Sequence, residues 1–117
     1  MTPNEMKART KRFALNVILL VRELPPTIDG RRLGGQLFDA GTSVAANYRA
    51  ACRARSRAEF IAKLGIVLEE SDESLFWLEL VVDSKMKPHS RVDLLMREAD
   101  QLTAIFTASL KTAKGNR

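Results

Sequence analysis

Nowhere in this chain do apolar and polar residues alternate over the length of a strand. Apolar residues return instead every three or four positions, the spacing that lines up one face of a helix. Ala, Leu, Glu, Lys and Arg dominate, and all are strong helix formers, so the chain is expected to be helical throughout. Its 117 residues amount to a single domain's worth, close to the common size of ~100–150. That length allows an apolar core without covalent staples.

Four helices are legible. The first is expected over about residues 3–24, where Thr2-Pro3-Asn4-Glu5 supplies a cap, a proline in the opening turn and a glutamate three residues after the cap. Its stripe is Met6, Phe13, Val17, Leu20 and Leu24, and Pro25-Pro26 ends it because neither ring offers an amide hydrogen. The second, over about residues 30–54, is expected to open at Asp29 and to carry Gly34, Gly35 and Gly41, each costing about 1 kcal/mol against alanine. Ser56-Arg57-Ala58-Glu59 is a capping box placed before Phe60, Ile61, Leu64, Val67 and Leu68, which starts a third helix over about residues 57–85. Ser90 and Asp93 are expected to cap the fourth, over about residues 90–112, with Val92, Leu95, Ala99, Leu102, Phe106 and Leu110 facing inward. The polar stretch from Lys111 to Arg117 is expected to fray. Four such helices joined by short connections pack most simply as an all-α, up-down-up-down antiparallel four-helix bundle.

Chemistry is harder to assemble. His89 stands alone beside Pro88 and Cys52 is the single cysteine, so neither a zinc set nor a Cys-His or Ser-His-Asp arrangement can be built. The carboxylates Glu69, Glu70, Asp72 and Glu73 include a Glu-Glu-x-x-Glu run of the form that holds magnesium in all-α nucleotide pyrophosphohydrolases. The matching Glu-x-x-Asp is missing, because Glu79-x-x-x-Asp83 and Glu98-x-Asp100 have other spacings. Gly30 and Gly34-Gly35 lack the preceding strand and the Gly-Lys-Ser/Thr ending of a phosphate cradle. The expectation is a non-enzymatic protein without catalytic residues, metal or cofactor. No apolar run reaches the ~20 residues that span a bilayer, no secretory segment follows Met1, and one cysteine cannot pair internally, so the cytoplasm is the expected compartment.

The third helix has more apolar surface than one core needs. Ile66, Phe76, Trp77 and Leu80 fall largely outside its stripe and are expected to meet another copy of the chain, with Trp77 as the anchor. The alternative is that Phe76 and Trp77 close one end of the bundle. In the second helix Asn47 shares a row with Ala40, Val44 and Ala51. It is expected to act as a buried polar latch, with Ser71 or Ser74 as its partner.

Charge divides unevenly. Residues 1–57 hold eleven Lys/Arg against four Asp/Glu, and residues 58–117 hold eight against ten, within a net charge of +5. Lys7, Arg9, Lys11 and Arg12 stud the start of the first helix, while Arg49, Arg53, Arg55 and Arg57 crowd the end of the second and the turn beyond. In a hairpin these ends are neighbours, so the eight cations form a candidate surface for the phosphates of RNA or DNA. The competing reading gives the same cations an acidic protein surface or a neighbouring subunit as partner.

The second-helix run Gln36-Leu37, Ala40, Thr42-Ser43-Val44-Ala45-Ala46-Asn47-Tyr48-Arg49-Ala50-Ala51-Cys52-Arg53-Ala54-Arg55-Ser56 carries a family likeness. Glu59-Phe60, Lys63-Leu64, Glu69-Glu70-Ser71-Asp72-Glu73-Ser74 and Trp77-Leu78-Glu79-Leu80 continue it. Together they resemble the four-helix-bundle protein family that includes proteins encoded in 23S rRNA intervening sequences and the accessory variability determinant of diversity-generating retroelements. The resemblance implies a homopentameric ring. For the retroelement members it also implies a basic surface that binds nucleic acid and association with a reverse transcriptase. Two departures stand out: Phe38-Asp39 replaces a common Arg-Arg, and Asn47-Tyr48-Arg49-Ala50-Ala51 replaces the frequent Asn-Ile-Ala-Glu-Gly, which removes part of the basic face from mid-helix.

Overall fold

A computed structural model describes residues 1–115, and these are all-α: α1 (Pro3–Glu23), α2 (Ile28–Cys52), α3 (Arg57–Asp83) and α4 (His89–Ala113), with no strand among the described residues. Every boundary falls within two residues of its expectation. The last turn of α4 runs on to Ala113, while the part of the expected fraying tail at Asn116 and Arg117 lies outside the described residues.

Local chemistry explains the ends. Thr2 closes a complete capping box on α1: its hydroxyl accepts the Glu5 amide at 3.1 Å and the Glu5 carboxylate accepts the Thr2 amide at 2.8 Å. Ser56 accepts the Glu59 amide at 3.0 Å, but the Glu59 side chain turns to Arg55, so this box is half made. Two expected caps are corrected. Thr27, held extended after Pro26, is the cap of α2 and accepts the Gly30 amide at 3.2 Å, while Asp29 sits inside the first turn and accepts the Thr27 hydroxyl at 2.6 Å. Gly30 is required there because a Cβ would collide with the Pro25 carbonyl. Pro88, not Ser90, precedes α4, and no side chain caps that helix. Its extended backbone starts the helix two residues earlier than a cap at Ser90 would. Asp93 is used instead between His89 and Arg97. At the far end of α3 the Met86 amide bonds the Val81 carbonyl at 3.1 Å, a closing turn that puts Lys85 at a φ of 66°.

α1 packs on α2, α2 on α3 and α3 on α4, with a sparser α1–α4 seam, and among the described residues the backbones of α1 and α3, and of α2 and α4, do not come close. At about 1.5 Å per residue the 27-residue α3 is about 40 Å long, nearly the full 45 Å of a molecule 22 and 21 Å across. The helices therefore lie side by side along the long axis. Phe13, Val17 and Leu20 of α1, Leu37 and Val44 of α2, Leu64, Val67, Leu78 and Val81 of α3, and Val92, Leu102 and Phe106 of α4 fill the space between them. The loose α1–α4 seam is tied by polar bonds: Arg9 donates twice to Glu98 at 2.8 Å, and Arg91 and Lys87 both reach Glu23. No helix among the described residues is long and apolar enough to cross a membrane.

Candidate nucleic-acid interface

The start of α1 and the end of α2 meet at one end of the molecule, as the hairpin requires. Between them lies a groove of about 540 Å³, lined by Lys7, Ala8 and Lys11 from one side and Thr42, Ala45, Ala46, Arg49 and Arg53 from the other. The cause is local. Alanine and threonine on the facing rows leave a shallow floor, while residues one turn apart on each helix place long cationic side chains along both rims. All four cationic residues are exposed, and among the described residues none of the four forms an ion pair. Arg49 and Arg53 also border a second groove of about 380 Å³, on the α3 side, together with Arg55, Glu59 and Lys63. The two grooves share one arginine ridge. Lys63 is a member that the sequence reading missed, although its place one turn beyond Glu59 on α3 put it within reach of the same end.

The other expected cations go elsewhere. Arg9 is held by Glu98 and also donates to Gln101 at 2.9 Å, so its guanidinium belongs to the α1–α4 seam. The Glu98 carboxylate raises the pKa of Arg9 further above its usual value. Arg57 donates at 2.9 Å from Nε, and again from its terminal nitrogen, to the Ala113 carbonyl, where it satisfies the end of α4. Arg12 lines a groove on the opposite side, with Leu19, Arg91, Leu94 and Glu98. Arg55 projects freely, its side chain 91% exposed and only 3.9 Å from Glu59.

Among the described residues no aromatic ring lines the basic groove. Tyr48, the nearest candidate on α2, lies against Phe106 with ring centroids 5.6 Å apart. Burial, and then the neighbouring Cys52 thiol, push its phenol up to about 12, so it stays protonated. The surface is thus fitted for phosphates and not for stacked bases.

The polar latch resolves differently from its expectation. Asn47 is only half-buried and donates within α2, to the Ser43 hydroxyl at 2.7 Å and the Ser43 carbonyl at 3.1 Å, because Ser43 lies one turn before it. Ser71 is fully buried and makes the link between helices itself, accepting the Thr103 hydroxyl of α4 at 3.2 Å. Ser74 bonds the Glu70 carbonyl.

On α3, Ile66, Trp77 and Leu80 are half-buried, and Trp77 rests on the core with its indole N–H donating to Glu73 at 3.1 Å. Phe76 is 50% exposed. Leu15, Leu19 and Leu94 are exposed as well, and sequence reasoning passed over them. The available signal was their position beside, not on, the stripes of α1 and α4. Among the described residues no group of His, Cys, Asp and Glu is placed to hold a metal ion.

Residues 3–108 match the family model of the 23S rRNA-intervening sequence protein, which accounts for nearly the whole fold described above. The chain belongs to that family. The 23S rRNA-intervening sequence proteins also have a solved relative: a crystal structure from Bacteroides thetaiotaomicron, described as a protein of unknown function from the S23 ribosomal protein family. It is 28% identical to this chain and superposes with a TM-score of 0.80 over 90% of this chain and 97% of its own. No curated protein matches the chain. Neither the family nor the solved relative carries a stated activity.

Proposed function

We propose that this member of the 23S rRNA-intervening sequence proteins is an antiparallel up-down bundle that self-assembles, acts in the cytoplasm and binds the phosphate backbone of RNA or DNA, without chemistry of its own. The observation that carries the reading is the convergence of Lys7, Lys11, Arg49 and Arg53 on one groove with none of them in an ion pair among the described residues. Cations that are structural on this protein, such as Arg9, Arg57 and Arg91, have partners. The groove's small-residue floor lets a phosphate strand approach the helix backbones, and the absence of a stacking ring makes the binding tolerant of sequence. The family resemblance supports assembly as a ring of five, which would repeat the basic groove and multiply a weak contact by avidity.

Retention of duplex and single-stranded RNA, measured while salt is raised, tests the proposal. Four phosphate contacts give a slope of log affinity on log salt of about −3 to −4. Arg49→Glu/Arg53→Glu should abolish retention in low salt, and binding indifferent to both salt and charge reversal removes the proposal.

A second reading makes the basic groove an assembly surface for acidic protein. It is favoured by α3, whose seven carboxylates face only two cations. In that case the same double substitution dissociates the oligomer, and the wild-type protein ignores RNA.

A further inference from the structure

The outer face of α2 is a ridge that separates the two basic grooves. Ala46 stands two residues beyond the fully buried Val44, a turn of about 200° around the helix, so the row Thr42, Ala46, Arg49 and Arg53 points away from the core. α2 packs on α1 and on α3 but its backbone does not approach α4, which puts it at a corner of the four helices. The row is therefore convex. Lys7 and Lys11 stand on its α1 flank, and Arg55 and Lys63 stand on its α3 flank. The cations are thus divided between two rims with α2 between them.

A single strand has one row of phosphates and can follow only one of these grooves. Cations on both sides of a convex ridge suit a partner that is concave and carries a phosphate row along each edge, which is the shape of a groove in a nucleic-acid duplex. Width then decides between duplexes. An α-helix with its side chains is about 10–12 Å across, and the major groove of B-form DNA, about 12 Å wide, admits it, whereas the minor groove is only about 6 Å wide. The major groove of A-form RNA is too deep and narrow to enter.

The ridge is also shaped for close approach. Between Asp39 and Arg49 its row holds only Thr42, whose hydroxyl turns back onto the Phe38 carbonyl at 2.7 Å, and Ala46. No long side chain there holds the helix off. Asp39 ends the basic stretch, and from Thr42 to the cap at Arg53 the ridge runs about 17 Å, the length of about five base pairs. One carboxylate faces the α3 flank: Glu59, which shares its groove with Lys63 and lies 3.9 Å from Arg55. The two cations outnumber it, and Arg55, with its side chain 91% exposed, is held loosely enough to turn to a phosphate.

We propose that the partner is duplex DNA in the B form, with the C-terminal half of α2 laid in its major groove, Lys7, Lys11, Arg49 and Arg53 on the phosphates of one strand, and Arg55 and Lys63 on those of the other. The inference rests on the phosphate binding proposed above, and it names the form of nucleic acid and the residues that hold the second strand.

Salt-titrated fluorescence anisotropy with a labelled DNA duplex, the RNA duplex of the same sequence and the corresponding single strands tests this, together with dimethyl sulfate footprinting, which reads guanine N7 in the major groove. Duplex DNA should bind more tightly than duplex RNA. Six phosphate contacts give it a slope of log affinity on log salt of about −5, and in a short duplex saturated with protein the guanine N7 atoms should be shielded from methylation. Arg55→Ala/Lys63→Ala, shown by circular dichroism to keep its helices, should make the slope on duplex DNA shallower by about 1.8 and leave the slope on single strands unchanged. Duplex RNA bound as tightly as duplex DNA, or guanine N7 left open to methylation in the complex, overturns the major-groove assignment and leaves phosphate binding standing. A double variant that keeps the wild-type slope on duplex DNA overturns the second-strand contacts. Wild-type protein that retains none of these nucleic acids overturns both this inference and the reading on which it rests.

Discussion

Gly41 of α2 lies flat against Val17 of α1: a Cβ at position 41 would stand 2.9 Å from both Val17 methyl groups. This close approach sets the separation of the two helices whose ends carry Lys7, Lys11, Arg49 and Arg53. An alanine in a helix interior ordinarily gains about 1 kcal/mol over glycine, but at position 41 the stiff, β-branched Val17 cannot turn aside. Gly35 is the control, because nothing lies within 4 Å of its Cβ position. Gly35→Ala should stabilise by about 0.5–1 kcal/mol, and Gly41→Leu should destabilise by about 2–3 kcal/mol. Urea midpoints for the two variants check the contrast. The leucine variant should also lose RNA retention, as the rims of the groove are forced apart.

The closing turn of α3 offers a second test. Lys85 adopts a φ of 66°, a left-handed conformation that crowds a Cβ against its own carbonyl. Lys85→Gly should therefore stabilise by about 1 kcal/mol, a rise in Tm of roughly 4 °C for a chain of this size. Lys85→Ala keeps the Cβ and should show no such gain. Thermal melts of both variants distinguish relief of the backbone from loss of the ammonium group.

Glu23 makes the pH dependence specific. Bonds from Arg91, and then from Lys87, hold its carboxyl down to about 2 from an ordinary 4.5. A carboxyl whose folded pKa is depressed contributes stability above its unfolded value, and that contribution drains away as pH falls from about 4.5 towards 2. Arg91→Gln should move the Glu23 titration up towards the ordinary value and flatten the acid side of the stability profile. Carboxyl NMR titration of the two proteins measures the shift directly.

The fold was legible because its punctuation is local. Thr2 with Glu5, Pro25-Pro26 and Ser56 with Glu59 act through bonds spanning at most four residues, and all three mark true boundaries. The Asp29 and Ser90 caps misled because the residue two positions earlier, Thr27 in one case and Pro88 in the other, already holds the extended backbone from which the helix starts. Which cations stay free was not legible. Arg9 and Lys7 look alike in sequence, and only the placing of α4 gives Arg9 its Glu98 while leaving Lys7 on the groove. Asn47 failed for a related reason: a row of small residues shows which face is close-packed, not whether an amide finds a nearer acceptor one turn away in Ser43.

That difference between Arg9 and its neighbours yields the most economical test of the groove. Arg9 makes a two-pronged, partly buried contact with Glu98 across the α1–α4 seam, whereas Arg53 ends exposed on the basic ridge. Arg9→Ala should cost about 1 kcal/mol of stability and leave RNA retention at fixed salt unchanged. Arg53→Ala should leave stability within about 0.5 kcal/mol and make the slope of log affinity on log salt shallower by about 0.7–0.9. Denaturation and salt-titrated binding on the same two proteins give the four numbers. A stability loss confined to Arg9→Ala with a slope change confined to Arg53→Ala separates structural cations from phosphate-binding ones on a surface where charge alone cannot.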